Sequence, residues 1–283
     1  MRANQDVPLS ERLRPQSIGD ILGQEQLLSQ GAALRNQLEI GVCPSLILWG
    51  PPGCGKTTLA QAIKSQVNKR YQAISAVSSG VKDVKAVIQA ADQYKLLDGE
   101  ATLLFIDEIH RFNKSQQDAL LQAVEQGIIT LIGATTENPS FEVNNALLSR
   151  CQLLLLSPLS LDNLKTLARK ALHHDAGMKM PHVSFHADAL EQVCQQAQGD
   201  ARYLLNQIEW ILHSLQIPPH VDFLITPQDL DKIALKKPLR YDKKGEDHYN
   251  LISVFHKSIR GSDVQAPLYW LHRMLQAGEE PHY

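Results

Sequence analysis

The chain has 283 residues, with 28 Lys+Arg against 30 Asp+Glu and a net charge of −2 with histidines neutral. Hydrophobic residues at 43% and charged residues at 20% exclude a disordered or collagen-like chain. The near-neutral balance excludes a bulk polycation and leaves room only for a local basic track.

In chain order, the amino-terminal stretch to Pro15 lacks an apolar signal core, and no run of about 18 apolar residues follows, so neither secretion nor a membrane span is expected. Ser45–Trp49 is a short apolar run that ends in a glycine-rich turn, and Lys56–Val67 then reads as a helix. Ala73–Ser78 is a second strand, followed by a helical pattern over Val81–Leu97. Thr102–Ile106 is an apolar run ending in acid, and Gln116–Gln126 is helical. Ile128–Ala134 and Gln152–Leu156 bring the strands to five. Continuous β-branched and leucine runs separated by helices predict a parallel sheet covered on both faces, joined by right-handed crossovers.

After Ser157-Pro158 the periodicity is helical only, over Leu161–Ala176, Ala187–Ala197, Ala201–Leu215 and Pro227–Leu235. Asp188 or Asp200 can cap a first turn, and Thr226-Pro227 sets a cap before a proline. Lys236–Lys244 is charged, contains Pro238, and reads as a linker; from Leu251 the pattern is helical again, with Pro267 opening the last helix. The expected organisation is an α/β core over 1–157, an all-helical lid over 158–235, and a linker with the start of a further helical domain over 236–283. Four dispersed cysteines without a C-x-x-C pair read as reduced thiols. The histidines around His173, His174, His182 and His186 lack the Cys or Glu spacing of a metal site.

Two stretches carry chemistry. Gly50-Pro51-Pro52-Gly53-Cys54-Gly55-Lys56-Thr57 matches G-x-x-x-x-G-K-[ST] between a strand and a helix. Glycines let successive N–H groups turn inward around phosphate oxygens, and the helix supplies its positive end. Lys56 can reach the β and γ phosphates, Thr57 can ligate Mg²⁺, and Thr58 follows in the same turn. About 50 residues on, Leu103–Ile106 delivers Asp107 and Glu108, the first suited to orient Mg²⁺ and the second to polarise a water. Either match alone could be a chance glycine turn or a solvated strand end. Together they point to ATP binding and hydrolysis.

With these motifs in place, the chain resembles the AAA+ ATPases. More narrowly it resembles the replication-associated recombination protein A family, related to the eukaryotic Werner-helicase-interacting protein. The resemblance runs from about Pro8 to the last residue and is most specific over Asp107-Glu108-Ile109-His110-Arg111-Phe112-Asn113-Lys114, Ile132–Phe141 and His256–Asp263. Holliday-junction branch-migration motors share the start of the first stretch and diverge after His110. The resemblance implies a sensor 1 residue at the end of the fourth strand, Thr136 or its competitor Asn138. It implies an arginine finger acting on a neighbouring subunit, Arg150 of Leu148-Ser149-Arg150-Cys151, and a sensor 2, Arg202 of Gly199-Asp200-Ala201-Arg202. It further implies adenine contacts from Leu13, Arg14, Ile21 and Leu22, although a plain apolar cap over the core would use the same residues.

The family acts at stalled or gapped replication forks, so DNA-stimulated ATPase activity, DNA and single-stranded-DNA-binding protein as partners, and a cytoplasmic, nucleoid-associated location are expected by resemblance. Lys236, Lys237, Arg240, Lys243 and Lys244 form a local basic cluster that could meet phosphates or simply be a solvated linker. Family members continue into a helical domain that mediates tetramer assembly. Leu251–Gln276 is expected to be only its first part, and the chain to be truncated there. Two other readings are a branch-migration motor or clamp-loader-type subunit, and an ATP-binding interaction module with little turnover.

Overall fold

The structure, a computed structural model, describes residues 7–99, 101–174, 177–218, 221–233, 246–261 and 265–276. The chain divides into two units, residues 1–135 with 139–235 and residues 136–138 with 236–283. The basic cluster over 236–244 lies outside the described residues.

In the larger unit, three short helices, α1 (Leu9–Arg12), α2 (Glu25–Leu28) and α3 (Ala33–Glu39), lead into β1 (Leu46–Trp49). There follow α4 (Lys56–Gln66), β2 (Tyr71–Ser75), α5 (Val81–Asp98), β3 (Thr102–Asp107), α6 (Lys114–Glu125) and β4 (Ile129–Thr135). Two one-turn helices, α7 (Pro139–Glu142) and α8 (Asn145–Leu148), precede β5 (Gln152–Leu155). All five strands pair in parallel in the order β2-β3-β4-β1-β5. Alternate residues along each strand face opposite sides. Leu46, Leu48, Leu103, Phe105, Ile132 and Ala134 bury against Leu38, Leu59 and Ile63 of α3 and α4. Ile47, Leu104, Ile106, Ile129 and Leu131 bury against Val84, Ala91, Leu120 and Ala123 of α5 and α6. Burial on both sides is why these strands read as unbroken apolar runs.

The strand expected over Ala73–Ser78 instead begins at Tyr71 and stops at Ser75, because Tyr71 is drawn into register with Leu103 and Ala76–Ser79 turn away. The caps are legible chemistry. Asn113 and Gln116 bond reciprocally at the start of α6, at 3.0 Å each way.

Beyond β5 come α9 (Leu161–His173), β6 (Val183–Phe185), α10 (Ala187–Ala197), α11 (Ala201–Leu215), β7 (Phe223–Ile225) and α12 (Pro227–Ile233). Their core joins Leu164, Ala168, Leu172, Val193, Leu204, Ile208 and Leu212. Leu9 of α1 is fully buried in the same cluster. The helical set carries one addition to expectation, the parallel pair β6–β7. Strands of three residues are too short to display a period. Asp200 caps α11 through the Tyr203 N–H at 2.8 Å. The cap of α10 is His186, whose Nδ1 accepts from the Asp188 N–H at 3.3 Å, so Asp188 sits inside the first turn. Thr226 donates its hydroxyl to Asp229 at 2.7 Å.

The smaller unit holds α13 (Glu246–Arg260) and α14 (Ala266–Gln276), which pack on each other. Among the described residues no helix is long and apolar enough to cross a membrane.

Candidate nucleotide site

The loop between β1 and α4 is shaped by its glycines. Gly53 (φ +70°) and Gly55 (φ +103°) occupy left-handed backbone that L side chains rarely adopt. A Cβ on Gly50 would stand 2.4 Å from the Leu156 carbonyl oxygen, so only glycine lets the loop leave β1 beside the end of β5. The loop is braced from below by Gln24, buried and in left-handed backbone. Its amide donates to the Cys54 carbonyl at 3.2 Å and to the Ser157 carbonyl at 2.7 Å, and accepts from the Ser157 N–H at 3.0 Å.

Lys56 opens α4 with its side chain folded back, its ammonium donating to the Gly50 and Pro51 carbonyls at 2.7 and 3.0 Å. Burial pushes its pKa down, while Cys54, Glu108 and Asp107 oppose that shift and Arg202 adds to it. The Thr57 hydroxyl lies 3.5 Å from the Asp107 carboxylate, which β3 delivers to the same sheet end. Cys54, 1% exposed, has its thiol pKa raised by burial.

Glu108 follows in left-handed backbone (φ 57°) and opens the tight turn Ile109–Arg111. Its carboxylate stands 3.3 Å from His110 Nε2 and 3.9 Å from Arg111. His110 Nδ1 is hydrogen-bonded to the Thr135 hydroxyl at 2.9 Å. Thr135, fully buried, is the polar residue that the larger unit presents at the end of β4. Thr136 and Asn138 follow it and group with the smaller unit.

The site continues into α11. The Ala201 N–H donates to the Gly53 carbonyl at 3.1 Å, and a Cβ on Gly53 would fall 1.9 Å from Asp200 Oδ1. Arg202 is exposed in the first turn of that helix, near enough to Lys56 to act on its charge. Arg150 is paired with Glu125 at 2.9 Å, both side chains nearly half exposed. Leu13 and Leu22 are half-buried against the cluster of α9–α12, Ile21 is half-buried against the core under α4, and Arg14 is ion-paired with Glu11.

The contacts made by Gln24, His110 and Thr135 are the ones that sequence reasoning did not assign. His110 and Thr135 stood inside motifs noted for other reasons. The partners of Gln24 lie 30 and 133 residues away, a separation with no local signal.

Left-handed glycines, open space beside Gly55, a buried ammonium and a hydroxyl–carboxylate pair together suit a nucleoside triphosphate with Mg²⁺. Among the described residues no group of three His, Cys, Asp or Glu could hold a metal alone.

A parallel sheet with a glycine loop after β1 and an acidic pair at the end of β3 defines the class of P-loop ATPases. Residues 46–159 match the family described as ATPase family associated with various cellular activities (AAA), and residues 179–260 match the AAA C-terminal domain. Replication-associated recombination protein A of Coxiella burnetii is 44% identical, over 100% of this chain and 64% of that protein. Its Escherichia coli K12 counterpart is 43% identical over 98% of this chain and 62% of that protein. ATPase WRNIP1 of Dictyostelium discoideum is 44% identical over 98% of this chain and 33% of that protein. The Thermotoga maritima RuvB Holliday junction branch migration motor superposes with a TM-score of 0.63 and 25% identity, over 95% of this chain and 94% of that one. Across nearly its whole length the chain is similar to the replication-associated recombination protein A family of AAA+ ATPases. It spans less than two thirds of the length of each of these three relatives.

Proposed function

We propose that the chain is a DNA-associated AAA+ ATPase that couples ATP binding and hydrolysis to maintenance and recombination at stalled replication forks. The observation that carries this reading is the meeting of Lys56, Thr57, Asp107 and Glu108 at one end of the sheet, with Thr57 and Asp107 at 3.5 Å. The loop N–H groups from Gly50, Pro51, Pro52, Gly53, Cys54 and Gly55 onward, the two prolines serving as spacers without donors, wrap the phosphates. Lys56 exchanges its carbonyl partners for β and γ oxygens, and the helix start at Thr57 and Thr58 adds its dipole. Thr57 and Asp107 hold Mg²⁺, which neutralises phosphate charge when bound. Glu108 accepts a proton from the attacking water. Thr136 or Asn138 acts as sensor 1, Arg202 contacts the γ-phosphate within the subunit, and Arg150 stabilises charge in a neighbour's site. Leu13, Arg14, Ile21 and Leu22 receive the adenine.

The working division is a core to residue 157, a lid over 158–235 and a helical assembly region after it. DNA and further copies of the chain are the partners that the relatives' names and the family support, with single-stranded-DNA-binding protein added on the resemblance alone. The decisive experiment measures ATP hydrolysis with and without forked or single-stranded DNA for the parent and Glu108→Gln. Glu108→Gln is expected to bind ATP and not turn it over. A parental rate in that variant refutes the role of Glu108, and a rate indifferent to DNA refutes the DNA coupling. The likeness to the RuvB motor favours branch migration as the second reading, and processive unwinding of a synthetic junction would select it.

A further inference from the structure

Beside the hydrolytic carboxylate the structure holds a link that the roles above leave unused. The Thr135 carbonyl accepts from the Gly50 N–H at 3.3 Å, and its hydroxyl bonds His110 Nδ1 at 2.9 Å. His110 Nε2 then stands 3.3 Å from the Glu108 carboxylate. Since Lys56 bonds the Gly50 carbonyl at 2.7 Å, one continuous path joins the phosphate-gripping lysine to the water-facing acid. The ring is held firmly. The His110 side chain is 9% exposed and Thr135 is fully buried. The neighbouring Ile109 is also fully buried, and its Cδ1 would lie 2.8 Å from a Cβ on Gly133. Glycine at 133 thus makes the room that seats the turn carrying His110 against β4.

An ionised carboxylate only accepts hydrogen bonds, so the nitrogen facing Glu108 must carry the proton. In the neutral ring Nδ1 is then the acceptor and the Thr135 hydroxyl the donor. The Glu108 carboxylate therefore selects the tautomer, and the Thr135 hydroxyl, able to donate as well as accept, matches it and holds the ring in place. The left-handed backbone of Glu108 is a costly conformation for a non-glycine residue. From it the carboxylate meets His110 at 3.3 Å and, farther off, the more exposed Arg111 at 3.9 Å.

We propose that His110 is a positioning residue for ATP hydrolysis: held in place by Thr135, it holds the Glu108 carboxylate in the direction needed to polarise water, and ties that direction to the phosphate loop. This rests on Glu108 being the water-polarising acid. The test compares kcat, KM and the affinity for a fluorescent ATP analogue in the parent, His110→Ala, His110→Gln, Thr135→Val, the double variant and Glu108→Gln. His110→Ala should lose about 10- to 100-fold in kcat, the scale of a misplaced catalytic group, with analogue affinity unchanged. His110→Gln, which keeps a donor, should recover part of that loss. Adding Thr135→Val to His110→Ala should cost nothing further, because the link is already cut.

A parental kcat in His110→Ala beside an inactive Glu108→Gln overturns the proposal and leaves the role of Glu108 standing. A parental kcat in Glu108→Gln overturns both. A reading independent of turnover comes from nitrogen-15 NMR of the imidazole in the parent chain. The Nε2-protonated tautomer is expected, and the Nδ1-protonated one overturns the proposal.

Discussion

At the scale of the residue, Lys56 is a cation 7% exposed, and its ammonium already donates to two loop carbonyls. Burial is the largest cause of its lowered pKa, so the site pays desolvation before a nucleotide arrives. Phosphate oxygens replace those carbonyls with charge-assisted partners, which argues that Lys56→Ala raises the nucleotide Kd by roughly 30-fold, about 2 kcal/mol, in a titration with a fluorescent analogue. The thiols give a different expectation. Burial raises Cys43 and Cys194 from the ordinary 9.0 to about 11, and Cys151 to about 12. A group whose folded pKa is raised adds stability that is complete below 9.0 and lost as the pH climbs toward 11 to 12. The thermal midpoint should therefore fall as the pH rises from about 9 toward about 11, and Cys194→Ala should soften the fall. A flat midpoint would contradict it. Lys56, Thr57, Asp107 and Glu108 were legible in the sequence because motif spacing and strand ends encode them. The pairing of His110 with Thr135 was not, since it depends on the parallel register that sets Ile106 opposite Gly133.

At the scale of the element, the start of α11 and the glycine loop are in direct contact. Gly53 offers its carbonyl to the Ala201 N–H, and its missing side chain is the space that Asp200 fills. Gly199 repeats the device one step earlier: in left-handed backbone, it would place a Cβ 2.4 Å from Pro158. The glycine loop and the helix carrying Arg202 are therefore packed directly against each other. Gly53→Ala combines a strained φ with a collision against both the side chain and the Cα of Asp200. It should destabilise the chain by about 1–3 kcal/mol in denaturant unfolding. It should also weaken nucleotide binding, and parental values of both would show that the contact yields freely. The helices of this region were readable from their apolar stripes because each buries one face. The docking of α1 on α11 was not. Arg12 donates to the Gly177 carbonyl at 2.9 Å and pairs with Glu209 at 3.3 Å, and Glu209 also accepts from the Leu9 N–H. Contacts spanning 165 to 200 residues leave no local period to read.

At the scale of the whole molecule, the role proposed for Arg150 separates a self-sufficient ATPase from one that works only in assembly. Its guanidinium is paired with Glu125 of its own chain at 2.9 Å, with both side chains nearly half exposed. An exposed pair of this kind is worth about 0.2–1 kcal/mol, so Glu125 holds the arginine loosely enough for a neighbour's phosphates to take it. An arginine acting in trans contributes about 10³–10⁵ in rate where such fingers have been measured. Hydrolysis per chain should then rise with protein concentration, in step with the mass found by light scattering. Arg150→Ala should be inactive while still binding ATP. The sharpest outcome comes from mixing it with Glu108→Gln. Each variant lacks one half of a composite site, so a mixed assembly contains interfaces where the intact Glu108 of one chain meets the intact Arg150 of the other. Activity should appear in the mixture that neither variant has alone. A mixture that stays silent, or a parent whose specific activity ignores dilution, would place Arg150 outside the reaction and leave its ion pair with Glu125 as a surface contact of the fold.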